Sequence, residues 1–255
     1  MKLAYEELLS NAPIKVDGIG TVCPKTINEI MFKGGIGYKK YRFLLQIFIY
    51  SKEDVVKNFY KESIANKLLE SDKINLFDLM ILNPFTKASL QEALDFFLLE
   101  TPVWVGNCGV FAMRDENDKV VGTVDRNNFE QLKDYILPLN YVFLKNNNKT
   151  PKYTSEKAKE LWNRAQKFIK ELDQKNKQPE KENNFDLGNV VSKLCIIAPS
   201  YNLLNVGQLT VYQLYDQFFQ YATIRSADLS DQAFLRVGGK DHNFDYWLTP
   251  IYKNN

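Results

Sequence analysis

Residues 103–124, VWVGNCGVFAMRDENDKVVGTV, decide the fold class, because the hydrophobic period of the chain changes there. Val110, Phe111, Ala112 and Met113 form a short apolar run. The polar stretch from Arg114 to Lys119 interrupts it, and Val120, Val121, Thr123 and Val124 resume it. β-Branched and aromatic residues on both sides of a charged turn are the pattern of a β-hairpin. Val103, Trp104 and Val105 lead into it. The segment predicts a central β-hairpin over about 103–124, and on either side of it the period is mostly helical.

Upstream, Ile14, Val16, Ile19 and Val22 flank Asp17-Gly18, a favoured hairpin dipeptide, and predict a short N-terminal two-stranded element. Thr26-Ile27-Asn28-Glu29 has the form of a capping box and starts a helix. Gly34, Gly35 and Gly37 interrupt it, and a second helix resumes at Tyr38 with Tyr41, Leu44, Leu45 and Phe48 on one face. Ser51-Lys52-Glu53-Asp54 caps a helix reaching about Leu69, and two further helices precede and follow Asn83-Pro84.

Downstream, Phe129, Leu132 and Ile136 recur at helical spacing and stop at Pro138. Residues 154–175 read as a charged helix with a thin apolar stripe, and 174–184 as a flexible polar linker. Val190, Val191, Leu194 and Ile197 form another helix face. Thr210-Val211-Tyr212-Gln213 is a further capping box opening an aromatic helix to Thr223, and a last helix runs from about Leu229 to Val237. The expected class is α+β, predominantly helical. The expected organisation is a mixed α/β domain at 1–150, the charged helix and linker at 151–184, and a small helical domain at 185–255.

Composition narrows the function. One histidine, His242, and three scattered cysteines, Cys23, Cys108 and Cys195, leave no spacing that makes a metal cage, so no metal and no cofactor is expected. The glycines at 34–37 lack the spacing of a phosphate loop. With 33 basic and 31 acidic residues the chain is nearly neutral, which disfavours a protein that coats nucleic acid. The apolar runs are too short for a membrane span and the N-terminus does not read as a signal peptide.

Several of these stretches also follow a familiar layout. They are Ile14-Lys15-Val16-Asp17 through Pro24-Lys25-Thr26-Ile27-Asn28-Glu29-Ile30 with Gly37-Tyr38, and the hairpin from Val110 to Asp125. The charged helix with its linker follows, then Leu209-Thr210-Val211-Tyr212-Gln213-Leu214-Tyr215-Asp216-Gln217-Phe218 leading to Trp247. Their order resembles a family of poorly characterised proteins from the structural gene blocks of tailed bacteriophages of low-GC bacteria. The resemblance implies a tail-module protein, either an assembly chaperone or a small virion component, placed in the virion or the host cytoplasm. It carries over no functional residues.

The first expectation is therefore a non-enzymatic protein that docks to other phage structural proteins, with self-association open. Its candidate interface residues are Trp104, Phe111, Tyr212, Tyr215, Phe219, Tyr221 and Trp247, since aromatic side chains anchor interfaces. The alternative is a nucleic-acid-binding module using Lys33, Lys39, Lys40 and Arg42, which stand among Phe32, Tyr38 and Tyr41. A third reading is a carboxylate-dependent hydrolase drawing on Asp115, Asp125, Asp228 or Asp241.

Overall fold

A short helix, α1 (Tyr5–Leu9), leads into β1 (Ile14–Val16), which pairs antiparallel with β2 (Gly20–Val22). The computed structural model that shows this describes residues 3–71, 74–143, 187–238, 242–245 and 248. Gly18 turns the hairpin at φ +73°, a conformation open to glycine at no steric cost. The helical run follows as α2 (Ile27–Ile30), α3 (Tyr38–Ile49), α4 (Lys52–Phe59), α5 (Glu62–Glu70), α6 (Leu76–Leu82) and α7 (Pro84–Phe97). The helix expected to continue to Leu69 breaks instead at Tyr60. Tyr60 turns to extended dihedrals and its hydroxyl donates to the Leu79 carbonyl at 2.6 Å, so a tertiary bond ends α4.

The central element is larger than a hairpin. β3 (Thr101–Val105), β4 (Val110–Arg114) and β5 (Val120–Val124) form one antiparallel sheet in the order β3-β4-β5. The residues expected only to lead into the hairpin are its third strand. Cys108 and Gly109 amides both donate to the Val105 carbonyl and reverse the chain between β3 and β4. Both edges are managed. Gln91 Nε2 donates to the Pro102 carbonyl on the β3 side, and Pro102 itself has no amide to offer a further strand. On the β5 side the N-terminal hairpin covers the edge, with the Thr123 amide donating to the Gly18 carbonyl at 2.9 Å.

After the sheet come α8 (Phe129–Leu139), α9 (Leu187–Ile197), a 3-10 turn (Val206–Gln208) and α10 (Val211–Val237). Two helices were expected at 210–223 and 229–237. They are one helix of 27 residues, since no Gly or Pro between them breaks it, and within it Thr223 Oγ1 donates to the Phe219 carbonyl. The charged helix and linker at 151–184 lie outside the described residues.

Phenylalanines knit the core. Phe48 of α3 packs on Phe97 of α7 at 5.7 Å and on Phe129 of α8 at 6.0 Å. Phe77 of α6 packs on Phe129 at 5.7 Å and on Phe111 of β4 at 6.4 Å. All five are fully buried. Leu187, Val190, Val191 and Leu194 of α9, and Val211, Tyr212 and Leu214 of α10, belong to the same buried cluster.

The two capping boxes meet backbone to backbone. The Ile27 amide donates to the Leu209 carbonyl at 2.9 Å, and the Val211 amide donates to the Lys25 carbonyl at 3.0 Å. Thr26 and Thr210 thereby form an antiparallel bridge while each caps its own helix, Thr26 with Glu29 and Thr210 with Gln213. First-turn amides have no partner inside their helix, so each helix start satisfies an orphan donor of the other. Gly207 packs against the start of α2, where a Cβ would overlap Asn28 Oδ1 and that side chain would have to move.

Thr26→Ala and Thr210→Ala are each expected to cost about 1 kcal/mol of stability. Because the caps touch, the double variant should depart from additivity by about 0.5 kcal/mol or more in a urea double-mutant cycle. Additive losses would show that the two side chains do not couple across the bridge.

Candidate functional site

Aromatic residues from three elements wall a groove of about 350 Å³. Helix α3 supplies Tyr38, Tyr41 and Arg42, the chain after α8 supplies Tyr141, and α10 supplies Tyr215 and Phe219. The sequence places these residues in three separate patterns, and the fold brings them together.

Tyr141 is the hinge of the arrangement. Helix α8 ends with the Tyr141 amide donating to the Pro138 carbonyl and the Val142 amide donating to the Leu137 carbonyl, both at 2.9 Å. That is the bonding of a Schellman turn, whose left-handed residue is usually glycine. Here it is Tyr141 at φ +59°, a conformation uncommon for a bulky side chain. The ring gains compensating contacts. It stacks on Tyr215 at 5.3 Å and on Phe219 at 5.6 Å with only 13° between planes, and it tilts onto Tyr212 at 5.3 Å. Asn140, just before it, is buried and bonded on both sides. Its Nδ2 donates to the Ile136 carbonyl, and its Oδ1 accepts from the Tyr41 hydroxyl at 2.9 Å.

Beneath the stack lies Asp216, 2% exposed. Both of its carboxylate oxygens accept from the Tyr5 hydroxyl at 3.1 Å. Burial pushes the Asp216 carboxyl above the usual range, against the lowering effect of the hydrogen bonds from Tyr5 and Gln220. Tyr141 is pushed up to about 12, first by burial and then by the Asp216 charge and Tyr5. At the mouth the exposed Arg42 guanidinium lies over the Tyr38 ring at 5.9 Å, a cation–π contact. The groove thus offers flat aromatic walls, phenolic hydroxyls and one cation.

Of the residues expected at an interface, Tyr215 and Phe219 line this groove, half-buried. Tyr212 and Phe111 are buried in the core, so neither offers a surface to a partner. Trp104 is half-buried on the sheet, edge-on to Phe111 at 5.0 Å and with Lys87 Nζ 5.2 Å above its ring. Tyr221 is exposed on α10 two residues past the groove residue Phe219, and Trp247 lies outside the described residues.

Of the basic set, Lys33 and Lys39 are exposed, Arg42 sits at the groove, and Lys40 is ion-paired with Glu92 at 2.5 Å. Glu29 and Asp95 share a shallow hollow with Lys25 and Lys40, so the local field is mixed in sign.

Two of the four carboxylates named for hydrolysis hold turns. Asp115 Oδ1 accepts from the Asn117 and Lys119 amides, and Asp125 Oδ1 from the Asn127 and Asn128 amides. Asp228 is exposed on α10 and Asp241 lies outside the described residues. Among the described residues no group of three or more His, Cys, Asp or Glu could hold a metal ion, and no helix is long and apolar enough to cross a membrane. His242 is largely covered. It bonds Asp231 Oδ1 at 2.6 Å and stacks on Phe234 at 4.5 Å.

Residues 175–252 match the family model of the YomV second domain. That domain is phage-derived, from the Bacillus phage SPBeta region. The match takes in the whole of α9 and α10, including the groove residues Tyr215 and Phe219, and makes this part of the chain similar to a phage-associated domain. No curated protein and no solved structure matches the chain.

Sequence reading missed Tyr5, Tyr141 and Asp216. Asp216 reads as an ordinary polar residue of an amphipathic helix, and only the contact with Tyr5 of α1 reveals it as buried.

Two outcomes follow from the titrating groups. Because the folded Asp216 holds its proton to higher pH than the unfolded chain does, stability should fall as pH rises from about 4 through the raised folded value. Asp216→Asn should flatten that slope in urea melts run across the acid range, and an unchanged slope would contradict the burial assignment. Tyr141 gives the alkaline counterpart. The unfolded phenol ionises near pH 10, so stability should fall as pH climbs from there through about 12. Tyr141→Phe should lessen that loss in alkaline unfolding curves.

Proposed function

We propose that this chain is a non-catalytic phage protein that docks to other phage structural proteins, in tail assembly or as a small virion component, working in the virion or the host cytoplasm. The observation that carries the phage reading is the similarity of residues 175–252 to the YomV second domain. The docking reading rests on the groove. Tyrosine and arginine dominate measured interface energies because they combine a large apolar body with a polar tip. Tyr38, Tyr141 and Tyr215 with Arg42 bring that chemistry to one place. An apolar or aromatic side chain of a partner fits between the rings, with a carbonyl or carboxylate set against Arg42.

The nucleic-acid alternative draws less from the geometry, because Lys40 is neutralised by Glu92 and acidic side chains stand beside Lys25. The hydrolase alternative draws less again, since Asp115 and Asp125 are each committed to turn amides.

Cross-linking in infected cells followed by mass spectrometry tests the docking reading. The native chain is expected to cross-link to virion or tail proteins. The variant Tyr38→Ala with Arg42→Glu should lose most of that yield, about tenfold, as hot-spot truncations do. Equal yields would sink the reading. Retention of DNA on filters at about 50 mM salt, lost as salt rises, would support the nucleic-acid alternative in its place.

A further inference from the structure

The outward face of α10 beyond the groove carries a pattern that complements itself. Spacings of three, four and seven residues place Tyr221, Ile224, Asp228 and Leu235 on one stripe, with Arg225 and Leu229 beside it. All six are exposed, Ile224 by 44%, Leu229 by 51% and Leu235 by 73%. The inward side of the same stretch carries Ala227, which is buried, and the partly covered Thr223, Asp231 and Phe234. The stripe therefore joins large apolar side chains to one acid and one base in its middle.

A wholly apolar partner suits this stripe poorly, since Asp228 and Arg225 would lose their hydration with only each other, three residues apart on the same helix, as counter-charge. Asp231 is already bonded to His242, so it does not serve Arg225 as its main partner. We propose that the stripe is covered by the same stripe of a second copy, running antiparallel about a twofold axis that passes between Ser226 and Ala227. In that register Arg225 of each copy faces Asp228 of the other, and Ile224 faces Leu229. Tyr221 faces Gln232, and the symmetry makes every pair occur twice. Both charges at the centre are neutralised and the apolar residues on either side leave water together. The stretch from Gln217 to Arg236 gives the pair about 30 Å of helix to share. A contact of this size lies near the lower limit of specific interfaces, about 1,000 Å². The dimer is accordingly reversible, and it does not depend on which protein occupies the groove.

Sedimentation velocity of the full chain from about 1 to about 200 µM covers the range in which an association of micromolar strength appears. The expected result is a concentration-dependent monomer–dimer equilibrium. Arg225→Asp and Asp228→Arg each place like charges opposite one another and should weaken the dimer by about tenfold or more. The double variant Arg225→Asp with Asp228→Arg restores opposite charges and should return the constant to within about threefold of the original. Ile224→Asp should weaken it without rescue by either charge change. Far-ultraviolet circular dichroism confirms that these surface variants keep their helix content. A chain that stays monomeric throughout the range overturns the proposal. So does a dimer indifferent to both single reversals, or a double variant as weak as the singles.

Discussion

The structure depends on the meeting of two helix starts. Thr26 and Thr210 each cap a helix, and the same few atoms then join the N-terminal half of the chain to α10. The arrangement works because the amides at a helix N-terminus lack internal acceptors. A buried helix start must find them elsewhere, and the carbonyls of Lys25 and Leu209 are those acceptors. One hydrogen bond of this kind is worth only about 1 kcal/mol net. Its absence would leave a buried donor unpaired, which is the larger cost. The bridge also sets where the C-terminal helix begins, and so which residues of α10 face α3, α8 and α1. Gln213 reinforces this by donating to the Leu9 carbonyl at 2.7 Å.

Downstream of that constraint the aromatic residues divide by chemistry. The deep core takes five phenylalanines, Phe48, Phe77, Phe97, Phe111 and Phe129, which carry nothing that needs a partner, with Tyr212 as the one tyrosine buried as deeply among the described residues. Around the groove stand tyrosines, whose hydroxyls must be satisfied wherever they are covered. Tyr41 shows the rule in its strict form. It is buried, its hydroxyl bonds Asn140, and burial raises its pKa well above the usual value, so it stays a donor. Tyr5 does the same for Asp216. The groove is thus apolar on its faces and hydrogen-bonded behind them, which holds its walls in place without filling it.

Much of the local structure was legible from the residues. The capping boxes at Thr26, Ser51 and Thr210 all form, with side chains accepting from the amides three residues on, and the Asp17-Gly18 hairpin forms as its composition requires. These signals are readable because donor and acceptor lie within four residues of each other. What could not be read is what depends on distant partners. Tyr60 ends a helix because its hydroxyl reaches Leu79. Residues 101–105 become a full strand because β4 accepts them and Gln91 protects their outer edge. The groove was half legible. The aromatic excess on α10 pointed to Tyr215 and Phe219, while Tyr141 stood beyond Pro138, where the predicted helix stops, and belonged to no pattern.

The sequence by itself determined most of the secondary structure, the mixed α+β class and the pool of aromatic side chains, because hydrophobic period, capping and turn chemistry act over a few residues. Only the tertiary structure decided which of those aromatics became core and which became groove. Phe111 and Tyr212 were hidden, Tyr215 and Phe219 were left at a wall, and Asp216 was drawn under Tyr5. Burial is a property of what packs on top of a residue, and for each of these the covering element comes from a remote part of the chain.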